Sequence, residues 1–177
     1  MLKPAIDIEI ISHLLKEDSV FPNSKYPLLV YKSALEVPKL FAARAIEKLL
    51  QENFWENSWR NGVYDYHHYH STAHEVMAVY EGKAKILFGG EKGAEVNVKK
   101  GDIVIVPAGV AHKRISASED FKLVGAYPKG QNYDMNYCQP GERPKTDKRI
   151  KKVPLPKADP LYGKEGPLMK RWKKKKG

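Results

Sequence analysis

The sequence predicts a mainly β domain, a sandwich or barrel, with one helix ahead of the strands and a basic extension behind them. Three observations lead there. Six short strand-like runs follow one another between residues 75 and 128, separated by Gly, Lys and Asp. One stretch ahead of them carries the period of a helix. Beyond Pro128 the chain becomes rich in Pro, Gly and Lys, a composition that does not build a second core.

Taken in order, KYPLLVYKSAL (25–35) reads as a short strand of β-favouring residues after Pro27. VPKLFAARAIEKLLQENFW (37–55) then changes period. Phe41, Ala42, Ala45, Ile46, Leu49 and Leu50 fall on one helical stripe, with Pro38 in the first turn. ENSWRNGVY ends that helix with turn formers, Trp59 being anchored against the body. The six runs EVMAVYE, AKILFGG, AEVNVKK, DIVIVPAG, AHKRIS and FKLVGAYP then supply the strands. Gly82 and Gly101 stand at joints where a turn needs positive φ. GGEKG (89–93) lacks the spacing of a phosphate-binding loop and reads as a hairpin loop. The tail should be extended or polyproline-like, pinned by Leu155, Leu161, Tyr162, Leu168, Met169 and Trp172, with a mobile end. The organisation expected is a strand and helix packed on the barrel over 1–60, the barrel core over 61–128, and an extended basic segment over 129–177.

At 177 residues and 42% hydrophobic content, the chain suits one domain with a sizeable core plus some extension. Cys138 is the single cysteine. It permits neither an internal disulfide nor a cysteine-based zinc site, and it fits a reducing compartment, expected to be the cytoplasm. Asp7, Glu9 and His13 interrupt the N-terminal stretch, which lacks the features of a signal peptide. No run approaches the roughly 18 apolar residues of a membrane span. The formal charge of +10 is unevenly placed: residues 143–177 hold 14 Lys and Arg against 3 acids, the remainder 17 against 18. The body is nearly neutral, so contact with nucleic acid is expected only as nonspecific attraction by the tail.

Residues 64–76, YDYHHYHSTAHEV, hold four of the six histidines together with Glu75. Imidazole is neither a strong core former nor a common surface choice, so the crowding points to a shared chemical task. Alternation sends His68 and His70 to one face and His67 and Tyr69 to the other. STAH can turn or bulge and bring the Glu75 carboxylate to the same centre, and His112 can enter from a facing strand. Three imidazoles and a carboxylate suit a divalent first-row metal and leave positions open for small ligands. A lone H-x-H in a β protein is more often structural, so the flanking spacing decides. Gly62, His68, His70, Glu75 and Gly82 spell G-x5-H-x-H-x4-E-x6-G, and Gly101, Pro107, Gly109 and His112 spell G-x5-P-x-G-x2-H.

These nine positions in two segments resemble the paired signature motifs of the cupins. The resemblance implies a double-stranded β-helix, the jelly-roll barrel, and metal-ligand roles for His68, His70, Glu75 and His112. One departure is Ser116, where cupins commonly carry Asn; it bears on local hydrogen bonding rather than on the metal. More narrowly, WRNGVYDYHHYHSTAHEV, VPAGVAHK, VGAYPKGQ and VPLPKADPLYG are similar to YjlB-like single-domain cupins, from the leading strand to about Gly166. That likeness implies a tail packed on the barrel and brings no particular activity with it.

The expected cofactor is one divalent ion per subunit, among Mn, Fe, Co, Ni and Zn. His74 adjoins Glu75. Parity turns only one of the two inward and the motif favours Glu75, which leaves His74 as an alternative ligand or as a hydrogen-bonding partner of ligand or substrate. Arg114 is read either as an anion-binding group beside His112 or as a solvent-facing charge. Tyr66, like Tyr64, Tyr69 and Tyr80, either lines the cavity and touches substrate or packs the sheet. His67 is read as an exterior or intersubunit residue, His13 as a surface residue and Cys138 as a passive thiol. Two functions fit: a metal-dependent enzyme acting on a small organic molecule (dioxygenase, isomerase or decarboxylase type), or a noncatalytic module that binds or senses one. The exposed sheet edges of a jelly roll lead to the expectation of a homodimer.

Overall fold

The computed structural model describes residues 1–173. In chain order the elements are β1 (Glu9–His13), β2 (Leu28–Lys32), α1 (Ala42–Glu52), β3 (Trp55–Asn61), β4 (Glu75–Glu81), β5 (Lys83–Phe88), β6 (Ala94–Lys99), β7 (Ile103–Val106), β8 (His112–Ala117), β9 (Lys122–Pro128), α2 (Lys145–Lys152) and α3 (Pro167–Arg171). A six-stranded sheet runs β1-β2-β7-β4-β9-β3 and a three-stranded sheet runs β6-β5-β8, with every pairing antiparallel. This is the mainly β barrel that the strand-like runs predict.

Alternation along the strands assigns each residue to a side. Leu28, Val30, Met77, Val79, Val104 and Val106 face the barrel interior, against Ala84, Ile86, Phe88, Val96 and Val98 of the smaller sheet. Their neighbours Leu29, Tyr31, Val76, Ala78, Ile103 and Ile105 point the other way and are equally buried, in a cluster with α1 and the C-terminal segment. With both faces covered, β2 and β7 read as continuous apolar runs, LLVY and IVIV. Each such side chain contributes about 1.5–3 kcal/mol on burial.

The structure departs from the sequence expectations at three places. The helix is α1 (Ala42–Glu52), shorter than 37–55, because Phe41 and Phe54 both take left-handed backbone (φ 56° and 64°) at its ends. Its buried stripe is Ala43, Ile46, Leu49 and Leu50, and Phe41 stays 80% exposed. WENSWRN is a strand, β3, rather than a closing turn: it pairs with β9 across a bulge between Glu56 and Trp59.

The third departure is the tail, which is not extended throughout, since it forms α2 and α3. It is fastened by buried groups. Asp159 accepts hydrogen bonds from the backbone N–H of Leu161 (2.9 Å) and Leu168 (3.0 Å) and from the Tyr31 hydroxyl (2.5 Å). Trp172 donates to the Pro27 carbonyl (2.9 Å) and stacks on Tyr26. Leu161 and Leu168 are buried, while Leu155 is 39% exposed. The expectation of a mobile end falls on residues 174–177, outside the described residues.

Candidate metal centre

The H-x-H segment lies in the connection between β3 and β4, not on a regular strand. It is held by isolated bridges, His68 to His112 and Tyr69 to Asn136. His68 and His112 exchange backbone hydrogen bonds of 3.3 and 2.9 Å, which sets their rings face to edge, 4.1 Å between centroids. His112 opens β8 immediately after the turn at Gly109. That glycine has φ 95°, and a Cβ on it would lie 2.3 Å from the Asn23 carbonyl oxygen, so only glycine fits. Its N–H donates to the His70 carbonyl (2.8 Å), joining the two motifs through the main chain.

Parity on β4 decides between the adjacent pair. Glu75 shares the interior face with Met77 and Val79. His74 shares the outer face with Val76, where it lies against Trp172 and Tyr26 and accepts a hydrogen bond at Nδ1 from the Ala108 N–H (2.9 Å). Burial pulls the His74 imidazole down to about 3, and it serves as a neutral core residue under the tail.

One ring nitrogen from each of His68, His70 and His112 lies within 4.8 Å of the others, and all three residues are buried. Each ring directs Nδ1 at a main-chain carbonyl: Tyr66 (3.2 Å), Asp134 (2.6 Å) and Val110 (3.2 Å) respectively. A carbonyl only accepts, so Nδ1 carries the proton and the Nε2 lone pair is left for the centre. The Glu75 carboxylate, 1% exposed, completes the set, with Oε2 at 3.2 Å from His70 Nε2 and 3.4 Å from His112 Nε2. No hydrogen-bond donor is aligned on that oxygen. Acceptors facing acceptors in a buried site call for a cation between them, so this donor set fits a divalent ion. Burial, reinforced by His112, pulls the His68 imidazole down to about 3. Burial disfavours the charge on Glu75, but His70 and His112 outweigh it and hold the carboxylate below the usual range. Burial likewise opposes protonation of His70, and Glu75 outweighs it, raising the imidazole.

A cavity of about 370 Å³ opens above these groups. Tyr66, 41% exposed, lines it and stands edge-on to His68. Tyr64 lines it too, whereas Tyr69 turns away to donate to Thr146 (3.0 Å). Arg114 is not among the lining residues; its guanidinium runs past Gly62, 3.8 Å from where a side chain there would begin. Ser116 is exposed and pairs with Lys85 further along β8. His67 sits outside the centre, with Nε2 2.7 Å from Glu91.

Sequence reasoning missed the segment after β9. Tyr133, Met135 and Tyr137 line the cavity, while the alternate residues Asp134 and Asn136 fasten the segment to the Tyr69–Ser71 stretch. Asp134 accepts from the Ser71 N–H (2.6 Å) and from its hydroxyl, and Asn136 exchanges backbone hydrogen bonds with Tyr69 (3.0 and 2.9 Å). The signal was present as Y-x-M-x-Y alternation, a one-sided strand pattern inside a stretch whose composition reads as linker.

Comparison with known proteins agrees with the geometry. Residues 59–125 match the family described as Cupin domain, which sets the class. A curated relative, "Uncharacterized protein YjlB" of Bacillus subtilis (strain 168), is 44% identical over 167 residues, covering 94% of this chain and 98% of its own. The chain therefore belongs to the cupins and, within them, to the family of YjlB. Two solved structures are more distant. Procruciferin, an 11S globulin from Brassica napus, aligns at TM-score 0.37 and 16% identity over 64% of this chain, which spans only 23% of the globulin. Acireductone dioxygenase from Bacillus anthracis, with cadmium in its active centre, aligns at 0.34 and 16% over 49% of this chain and 57% of its own.

Proposed function

We propose that His68, His70, His112 and Glu75 hold one divalent first-row ion, and that the protein is an enzyme acting on a small organic molecule by dioxygenase, isomerase or decarboxylase chemistry. The supporting observation is the convergence of three imidazoles and a buried carboxylate, with no aligned donor, at the foot of an open cavity. A bound ion would supply Lewis acidity or redox chemistry, and imidazole with carboxylate accepts Mn, Fe, Co, Ni or Zn. The chain's own residues do the rest. The three carbonyls fix the imidazole tautomers, Glu75 offsets one positive charge, and the aromatic walls restrict water.

The test is metal analysis of protein purified without chelator, beside His68→Ala, Glu75→Ala and His112→Ala. Stoichiometric metal in the parent and its loss in the variants is the expected result; metal retained by all three variants refutes the assignment.

One observation favours the second reading, a noncatalytic binding or sensing module. Beyond the four donors, the described residues lining the cavity include no further carboxylate, imidazole, lysine or thiol to move a proton. Burial, followed by Glu75, pushes the Tyr127 phenol well above its ordinary value, and Arg60 is tied to Glu47. Metal-dependent turnover in a metabolite screen favours the enzyme; tight binding of an unchanged ligand favours the module.

The proposed location is the cytoplasm, in keeping with a lone half-buried thiol. Among the described residues no helix is long and apolar enough to cross a membrane. The proposed partner is a second copy of the chain, in keeping with the open edge of β1. A monomer mass independent of concentration in solution scattering would contradict it.

A further inference from the structure

We propose that the cavity above the histidine cluster takes a flat conjugated ring bearing two adjacent oxygens, one of them an ionisable hydroxyl, and no other charge. The inference rests on the metal reading above and adds the class of ligand.

The first support is the wall. Four tyrosines around the cavity are about half exposed: Tyr64 56%, Tyr66 41%, Tyr133 50% and Tyr137 48%. Tyrosine seldom clusters in this way on a surface without a partner for its faces. Two stacked pairs provide flat platforms, Tyr64 on Tyr66 at 4.9 Å and Tyr127 on Tyr133 at 4.7 Å, each 18° from parallel. Val63, Met77 and Met135 add apolar surface to the same wall. The volume, about 370 Å³, lies near the low end for small-molecule sites and suits a molecule of one or two rings.

The second support is charge. Glu75 and Arg60 are the only acid and the only Lys or Arg among the described residues lining the cavity. Arg60 is held by both oxygens of Glu47, at 2.8 and 2.7 Å. A ligand carboxylate or phosphate held against this wall would therefore meet no free cation among the lining side chains, the Arg114 guanidinium standing beyond Gly62, and would lose hydration uncompensated. A divalent ion beside one carboxylate retains a single positive charge, which one ionised hydroxyl neutralises. An adjacent oxygen on a rigid ring then completes a chelate at no conformational cost.

Zinc, which has no redox chemistry, makes binding measurable without turnover. Zinc-loaded protein is titrated with 4-nitrocatechol by absorbance; catechol, 3,4-dihydroxybenzoate and the ringless chelator acetohydroxamate serve as competitors. Zinc content is measured first. The expected result is that Tyr66→Ala and Tyr133→Ala each weaken 4-nitrocatechol about three- to tenfold, while Tyr→Phe at the same positions stays within about twofold. Acetohydroxamate affinity stays within about twofold in all four variants, and 3,4-dihydroxybenzoate binds at least about tenfold more weakly than catechol. Equal losses for ring and ringless chelators, no loss in the alanine variants, or a preference for 3,4-dihydroxybenzoate would overturn the inference and leave the metal centre standing. Failure to take up zinc or any other first-row ion overturns both.

Discussion

Each cluster histidine commits Nδ1 to a main-chain carbonyl, and for His70 that carbonyl belongs to Asp134, 64 residues downstream. Burial alone would raise the Asp134 carboxyl, but it takes both donors of Ser71, and these bonds anchor its own backbone and keep the carboxyl below its ordinary value. Asp134 thus positions His70 without facing the centre. Asp134→Ala should lower metal affinity by about 10- to 100-fold while leaving the circular dichroism spectrum intact. Competition with a chromophoric chelator measures this, and unchanged affinity would show that His70 is oriented by packing alone. Cys138 behaves in the opposite way. Burial, with Glu142 and Asp18 adding to it, pushes its thiol up to about 12. Iodoacetamide at pH 8 should therefore label it at least about a hundredfold more slowly than a free cysteine. Labelling at the free rate would mean that the segment opens readily.

At the scale of elements, the C-terminal segment belongs to the domain core. It covers the outer face of the six-stranded sheet, so His74, Trp172 and Tyr26 form one aromatic cluster directly behind Glu75. Trp172→Ala should destabilise the protein by about 3–5 kcal/mol through the cavity left behind. Urea denaturation measures it, and a loss under about 1 kcal/mol would mean that the segment contributes little to the core. The same variant removes a wall from His74 while sparing the four donors, so zinc stoichiometry should survive it.

For the whole molecule, the histidines make stability depend on pH in two separate windows. His68 and His74 have folded pKa values of about 3, below the ordinary 6.5. The unfolded chain then binds more protons, so their contribution is complete above about 6.5 and is lost as pH falls toward 3. His70 is raised, so its contribution is complete below 6.5 and is lost as pH rises through its folded value. Metal-free protein should consequently be most stable near pH 6.5, with the urea midpoint falling on both sides. A midpoint that rises steadily from pH 5 to 8 would contradict the placement of His70 beside Glu75.

The sequence by itself determined whatever depends on local periodicity and on spacing within a single turn. Short β-favouring runs between turn formers marked β4 to β9, and the period of 3.6 marked the helix around Ile46, because both are properties of a few consecutive residues. The two motifs brought four donors into view, since Gly109 and the residues around it constrain backbone that lies close in sequence. Only the tertiary structure decided what closes over those donors. β1 and β3 are strands because β2 and β9 accept them as edges, and neither carries a strong pattern of its own. The wall of Tyr133, Met135 and Tyr137, and the bond from His70 to Asp134, unite segments joined through two sheets. Such contacts follow from how the barrel folds shut, a global event that no short window of residues encodes.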